Sequence, residues 1–241
     1  MKQTKTHKVR YLLWLLLAVL PFFSCAARIN GALAADGSAS LSVNISLEPR
    51  MESLIRRLSA AGGVDVSANS PVLDAQSINA SMSRASGISS VLLRNTSPSA
   101  VEGQVRISQI SDFLSAQGRF IEFEQGRSGG KCRIRLSLEN GPEIIRFLSP
   151  EIDDYLNALM APIATGEELS KTEYLELVTS VYNKPVSDEI ASSRVRASID
   201  FPGSITSVRG GTFSGRRAEF DIPLVDLLVL DVPLIYEAEW R

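Results

Sequence analysis

"FPGSITSVRGGTFSGRRAEFDIPLVDLLVLDVPLIYEAEW", residues 201–240, decides the fold class. Pro202-Gly203, Gly210-Gly211 and Ser214-Gly215 are turn signals. Ala218, Phe220 and Ile222 alternate with polar neighbours, and Leu234, Tyr236, Ala238 and Trp240 do so again, the period of a half-buried strand. Immediately upstream, Val195, Ala197, Ile199 and Phe201 alternate in the same way. "PLVDLLVLD" (223–231) is nearly continuously apolar and is expected to form one tight helical turn or a bulged edge. A final strand with an inward Trp240 ties the C-terminus into a sheet.

The same β character recurs earlier in the chain. Leu41, Val43, Ile45 and Leu47 alternate until Pro49, and "ISSVLLRN" (88–95) and "VEGQVRI" (101–107) read as further strands. The clearest hairpin joins Ile121 and Phe123 to Cys132, Ile134, Leu136 and Leu138 through "GRSGG". Glu122 and Glu124 face out on one strand and Lys131, Arg133 and Arg135 on the other. Opposite charges across the ladder account for these side chains without a ligand. Cys132 shares the apolar parity of its strand and reads as a small core residue.

Helical spacing interrupts the strands. Met51, Leu54, Ile55 and Leu58 predict a helix closed by Gly62-Gly63, and Ala75, Ile78, Met82 and Ala85 predict one starting at Pro71 and ending at Gly87. A short helix carries Ile110, Phe113 and Leu114 up to Gly118. Ser149-Pro150 opens a helix with Ile152, Tyr155, Leu156, Leu159 and Met160 at i, i+3, i+4, i+7 and i+8. Ser170 and Glu173 make a capping box for the next, whose stripe is Tyr174, Leu177, Val178, Val181 and Tyr182. The fold class is therefore α+β, a curved antiparallel β-sheet with amphipathic helices packed on one face.

At the other end of the chain Lys2, Lys5, Lys8 and Arg10 precede an apolar run from Tyr11 to Phe23. That is the n-region and h-region of an exported precursor. The run is about 13 residues long, short of the roughly 20 that a spanning helix needs. Two cuts are open, one of the A-x-A kind at Ala32-Leu33-Ala34 and one before Cys25, where the apolar run ends. Ser24-Cys25 resembles the lipobox of bacterial lipoproteins. With Phe22 where leucine is usual, it is similar to the relaxed form found in spirochaetes.

That resemblance implies a signal peptide over residues 1–24 and lipidation of Cys25 with three acyl chains, palmitate among them. Anchoring by more than one chain is stable. "AARINGALAADGS" reads as a flexible tether, so residues 25–38 are expected to link the lipid to a single domain over 39–241. Ala26 stands where an aspartate would resemble an inner-membrane retention signal, which favours the outer membrane of the cell envelope.

Composition removes several function classes. Four of the 25 basic residues lie in the leader, leaving 21 against 27 acidic ones, so the mature chain is near minus six. Such a balance disfavours nucleic acid, whose binding rests on neutralising phosphates. The sole histidine, His7, is also in the leader. Without it, Ser-His-Asp, Cys-His and His-zinc chemistry cannot be assembled from the mature chain. If Cys25 is acylated, Cys132 is left without a partner. No enzyme, metal or cofactor is expected. Ser128-Gly129-Gly130-Lys131 matches S-x-x-K formally, but it lies in a hairpin turn rather than at a helix start.

The closing stretch quoted above, with its proline-glycine turn, glycine-rich hairpin and terminal apolar strand, resembles the domain of the mycobacterial LppM lipoprotein family. With the leader and the Leu41–Leu47 strand, the resemblance covers the two ends of the mature chain. It implies an envelope lipoprotein with an α+β body and a lipid-binding cavity, and it brings no catalytic residues. A lipid or other apolar ligand is expected between sheet and helices, with Tyr155, Leu156, Met160, Tyr174, Leu177 and Val178 lining the site. The alternative is an assembly or surface factor that binds an envelope protein partner through an edge strand or its acidic face.

Overall fold

Alternation of apolar and polar residues sets the strands, beginning with β1 (Ala27–Leu33) and β2 (Ala39–Ser46). The computed structural model describes residues 27–61, 70–110, 113, 120–126, 128–141, 145 and 150–241. The leader, Cys25, Gly62-Gly63, Leu114, Gly118 and Ser149 lie outside the described residues. Two hairpins follow, β3 (Ile88–Ser97) with β4 (Ala100–Ile107) and β5 (Ile121–Gly126) with β6 (Gly129–Leu136). The C-terminal third supplies β7 (Arg194–Asp200), β8 (Ile205–Arg209), β9 (Thr212–Ser214), β10 (Arg217–Pro223) and β11 (Leu234–Trp240).

The α+β class stands, but the strands form two sheets rather than one. The large sheet has the order β3-β4-β2-β1-β7-β10-β9 and the small one β5-β6-β11-β8. Among the described residues the pairings are antiparallel except that of β1 with β7. The chain passes from the small sheet to the large one at Gly210-Gly211. Gly210 adopts φ 79°, which favours glycine, and a Cβ at Gly211 would meet the Glu219 carbonyl oxygen at 2.4 Å. The glycine pair read as a simple turn is thus one of the places where the chain changes sheets.

A second departure concerns the tether. Residues 27–33 form β1, paired to β2 on one side and to β7 on the other. Ile29 and Leu33 alternate with exposed Arg28, Asn30 and Ala32. This period-2 signal is thin in a Gly/Ala-rich stretch, and the strand's second partner lies most of the chain away.

Helices also distribute differently from the expectation of one covered face. The sequence-predicted helix from Pro71 begins at Ala75 instead, because the Asp74 carboxylate accepts from the Gln76 and Ser77 amides at 3.0 and 3.1 Å. Numbered in chain order, the helices are α1 (Pro49–Ala61), α2 (Ala75–Met82), α3 (Pro150–Ala158), α4 (Pro162–Thr165), α5 (Lys171–Val181), α6 (Lys184–Ser192) and α7 (Leu224–Val229).

On the inner face of the large sheet, α2 packs Ala75, Ile78 and Met82 against Val91, Leu93, Val101 and Val105. The small sheet covers the rest of that face. Apart from α2, the helices gather at the end of the sheets where β1 and β7 begin. They share a core there with Leu47, Leu136 and Leu234 from strand ends.

Long-range capping secures that end. The Glu189 carboxylate of α6 accepts from the Arg50 and Met51 amides at 3.1 and 2.8 Å, satisfying donors that open α1. The capping box foreseen at Ser170 and Glu173 is present at the start of α5.

At the opposite end the sheets are closed by Trp240, which is 3% exposed. Its ring lies 5.0 Å from that of Phe201 and 6.1 Å from that of Phe123. It lies so close over Gly130 that a Cβ there would meet the indole at 2.4 Å. Removing a buried aromatic of this size costs about 3–5 kcal/mol. Trp240→Ala should therefore lower the unfolding free energy obtained from urea denaturation by about that much, whereas Leu92→Ala, at a side chain 70% exposed, should leave it almost unchanged.

Candidate functional site

None of the six helical residues expected to line a ligand site lines the apolar cavity between the sheets. Tyr174 and Val178 are fully buried in the helical core, Tyr155 and Leu156 pack against that core, and Leu177 is half-buried. Met160 falls beyond the end of α3 with φ 51°, so the i+8 position leaves the helical stripe and Leu159 is buried in its place.

The tyrosines are structural ties. Tyr155 donates its hydroxyl to the Val72 carbonyl at 3.2 Å, Tyr174 donates to the Leu159 carbonyl at 3.3 Å, and Tyr182 donates to the Ala158 carbonyl. Burial pushes the Tyr174 phenol well above its ordinary pKa, so it stays a donor.

A cavity of about 350 Å³ lies elsewhere, between the two sheets. The large sheet contributes Ile29, Leu41, Ala197, Ile199, Phe220 and Ile222, and the small sheet contributes Ile121, Cys132, Ile134, Tyr236 and Ala238. Ile110 and Phe113 stand at its flank. The wall is hydrocarbon almost throughout. Glu237 is the charged residue on it, and its carboxylate is taken by Arg133 at 2.5 Å and Lys131 at 3.2 Å on the outward face. Packed sheets stand roughly 10 Å apart, a gap that large side chains fill. Here Cys132 and Ala238 are paired in register, and Ala197 sits between Ile29 and Phe220. Small residues meeting across the gap leave the space.

The outward face of the small sheet confirms half of the expected charge pairing. Arg133 reaches Glu122 at 3.5 Å, yet its closer partner is Glu237 on β11, and Lys131 bonds Glu239 at 2.9 Å. Strand β6 lies between two acidic strands, which local sequence cannot reveal. Lys131 holds the Glu239 carboxyl below the usual range.

Outside the cavity, the opposite face of the large sheet is polar. An open trough there is bordered by Arg28, Asn30, Arg196, Ser198, Glu219 and Asp221. Among the described residues no group of three or more His, Cys, Asp or Glu side chains is placed to hold a metal ion. No described helix is long and apolar enough to cross a membrane.

The arrangement defines a mixed α+β domain of two facing sheets enclosing an apolar cavity. No family model and no curated protein matches the chain. Among solved structures it is similar to the folded domain of Mycobacterium tuberculosis LppM, determined by NMR, at 12% identity and a TM-score of 0.38. The match covers 92% of this chain and 94% of that one.

Cys132 reports on the cavity. Enclosure by apolar atoms pushes its thiol up to about 11 from an ordinary 9.0. The folded chain keeps this proton where an unfolded one loses it, so the stability it contributes is full below about pH 9 and fades as pH rises to about 11. In a Cys25→Ser chain, where Cys132 is the remaining thiol of two, reaction with a disulfide reagent at pH 8 should be slow when folded and fast in denaturant. Cys132→Val should lessen the decline in stability between pH 9 and 10, leaving the later fall from the buried tyrosines.

Proposed function

We propose that the protein is a non-catalytic lipoprotein of the cell envelope, held at the membrane by lipid on Cys25, whose inter-sheet cavity receives a hydrocarbon chain. The observation that carries this reading is the cavity's wall, which offers aliphatic and aromatic carbon and almost no hydrogen-bonding group. At about 350 Å³ it lies near the small end of ligand sites, which run from about 300 to 1,000 Å³. Such a space suits one acyl chain with its headgroup outside.

Energetics favour an occupant. An apolar wall without contacts forfeits the packing that a filled one gains. Water is a poor filler, because an apolar cavity supplies none of the two to four partners that each molecule needs. A hydrocarbon chain removes the penalty and needs no partner.

A protein-binding reading has one feature in its favour. Strand β3 is a ten-residue edge of the large sheet, and it exposes Leu92. Asn79 of α2 takes the Leu93 amide and carbonyl on that edge, so the exposed face around Leu92 is what a partner would meet.

Native mass spectrometry on residues 26–241 separates the two. A co-purified mass in the lipid range, lost on denaturation, is expected. Ala197→Phe, which fills the cavity from β7, should yield a bare chain that melts at a higher temperature than the emptied parent. A bare mass for both chains would overturn the lipid reading and leave the face around Leu92 as the site to test.

A further inference from the structure

We infer that the inter-sheet cavity has a polar-head subsite at Tyr236, whose phenol hydroxyl donates a hydrogen bond to an oxygen of the ligand's carboxyl or ester group. This inference rests on the proposed occupancy of the cavity by a hydrocarbon chain, and it adds where the polar end of that chain is held and by which atom.

An unused hydroxyl is the first reason. Four tyrosines lie among the described residues. Tyr155, Tyr174 and Tyr182 each spend the hydroxyl on a backbone carbonyl. The Tyr236 hydroxyl makes no hydrogen bond among the described residues, although the side chain is half-buried. A donor withdrawn from water and left without a partner is unfavourable, and an arriving acceptor supplies the partner.

Position is the second reason. Tyr236 belongs both to the apolar wall and to a surface hollow bordered by Arg209, Asp221, Asp226 and Pro233, and among the described residues no other is common to the two. Among them it is also the one hydroxyl-bearing residue on the cavity wall. Hydrocarbon gives way to polar surface at this rim, as it does along an amphiphilic ligand.

The ring is held in place. It meets Phe220 of the facing sheet edge-on, with centroids 5.7 Å apart and planes at 84°. A Cβ at Gly210 would meet Tyr236 Cδ1 at 2.8 Å, and one at Gly211 would meet Phe220 Cδ1 at 2.7 Å. The glycine pair that crosses between the sheets thus lies directly against both rings. A donor fixed in this way loses little freedom on binding.

Chemistry of the rim is the third reason. Its two carboxylates are already engaged, Asp226 by Lys171 at 3.1 Å and Asp221 by Arg194 at 2.7 Å. Arg209 makes no ion pair among the described residues. The side chains left free are therefore donors, which suit an oxygen acceptor. Burial, with the nearby Asp226 carboxylate, holds the Tyr236 phenol above its ordinary pKa, so the hydroxyl keeps its proton.

The test is calorimetry on the Cys25→Ser chain, stripped of co-purified lipid and titrated with decanoic acid and with 1-decanoylglycerol. The two probes share an acyl chain and differ in the head. Tyr236→Phe removes the hydroxyl and keeps the ring against Phe220, and it should weaken binding of at least one probe about 3- to 10-fold, the worth of one hydrogen bond. Tyr182→Phe removes a hydroxyl from the helical core and should leave both affinities unchanged.

A loss confined to decanoic acid would assign the head as a carboxyl, and one confined to the glyceride as an ester. Equal losses would assign the carbonyl oxygen that the probes have in common. Unchanged affinity of Tyr236→Phe for both probes would overturn this inference and leave the cavity reading intact. If neither probe binds the parent chain, the cavity reading falls and this inference with it.

Discussion

The parallel pairing of β1 with β7 is the contact on which the rest depends. Strands β1 to β4 form one block and β7, β9 and β10 form another, and hydrogen bonds between Ala27–Ala32 and Val195–Asp200 make them one sheet. Gly31 lets the seam close. A Cβ there would meet Leu41 Cδ2 at 2.5 Å and Ile199 Cδ1 at 3.0 Å, so the bare backbone allows side chains from both blocks to approach over β1. Without this seam the large sheet would be two fragments, and the small sheet would have only half a surface to cover.

The cavity follows from how that surface is covered. Helix α2 packs on the β3–β4 side and the small sheet on the β7–β10 side, each with a tight core of its own. Between them the inward residues are small on both walls, and the aromatic cluster around Trp240 holds the sheets apart at one end while the helical core does so at the other. Packing at the two ends thus props open the middle, where Ala197, Cys132 and Ala238 leave the gap unfilled.

Local structure is legible in the sequence. Alternation located β2, β4 to β7, β10 and β11, a capping box marked α5, and the apolar stretch after Pro223 is the helical turn α7. Long-range facts were not legible. The Glu189 cap on α1, the placement of β6 between two acidic strands and the partnership of β1 with β7 each join residues more than a hundred positions apart or hidden by weak local pattern. The tyrosines of the expected site lie in or against the helical core instead. Tyr155 and Tyr174 carry the stripes of buried helices, but their hydroxyls are spent on backbone carbonyls. A better signal lies in the inward Ala197, Ala238 and Cys132, small residues at positions where strands otherwise place Ile, Leu or Phe.

The position of β1 bears on the order in which the chain can become native. The first strand to emerge needs a partner that is among the last, so the large sheet has a high contact order and cannot close until β7 has been released. The N-terminal strand cannot complete its sheet prematurely, and the seam that finishes the structure forms only once nearly the whole chain is available.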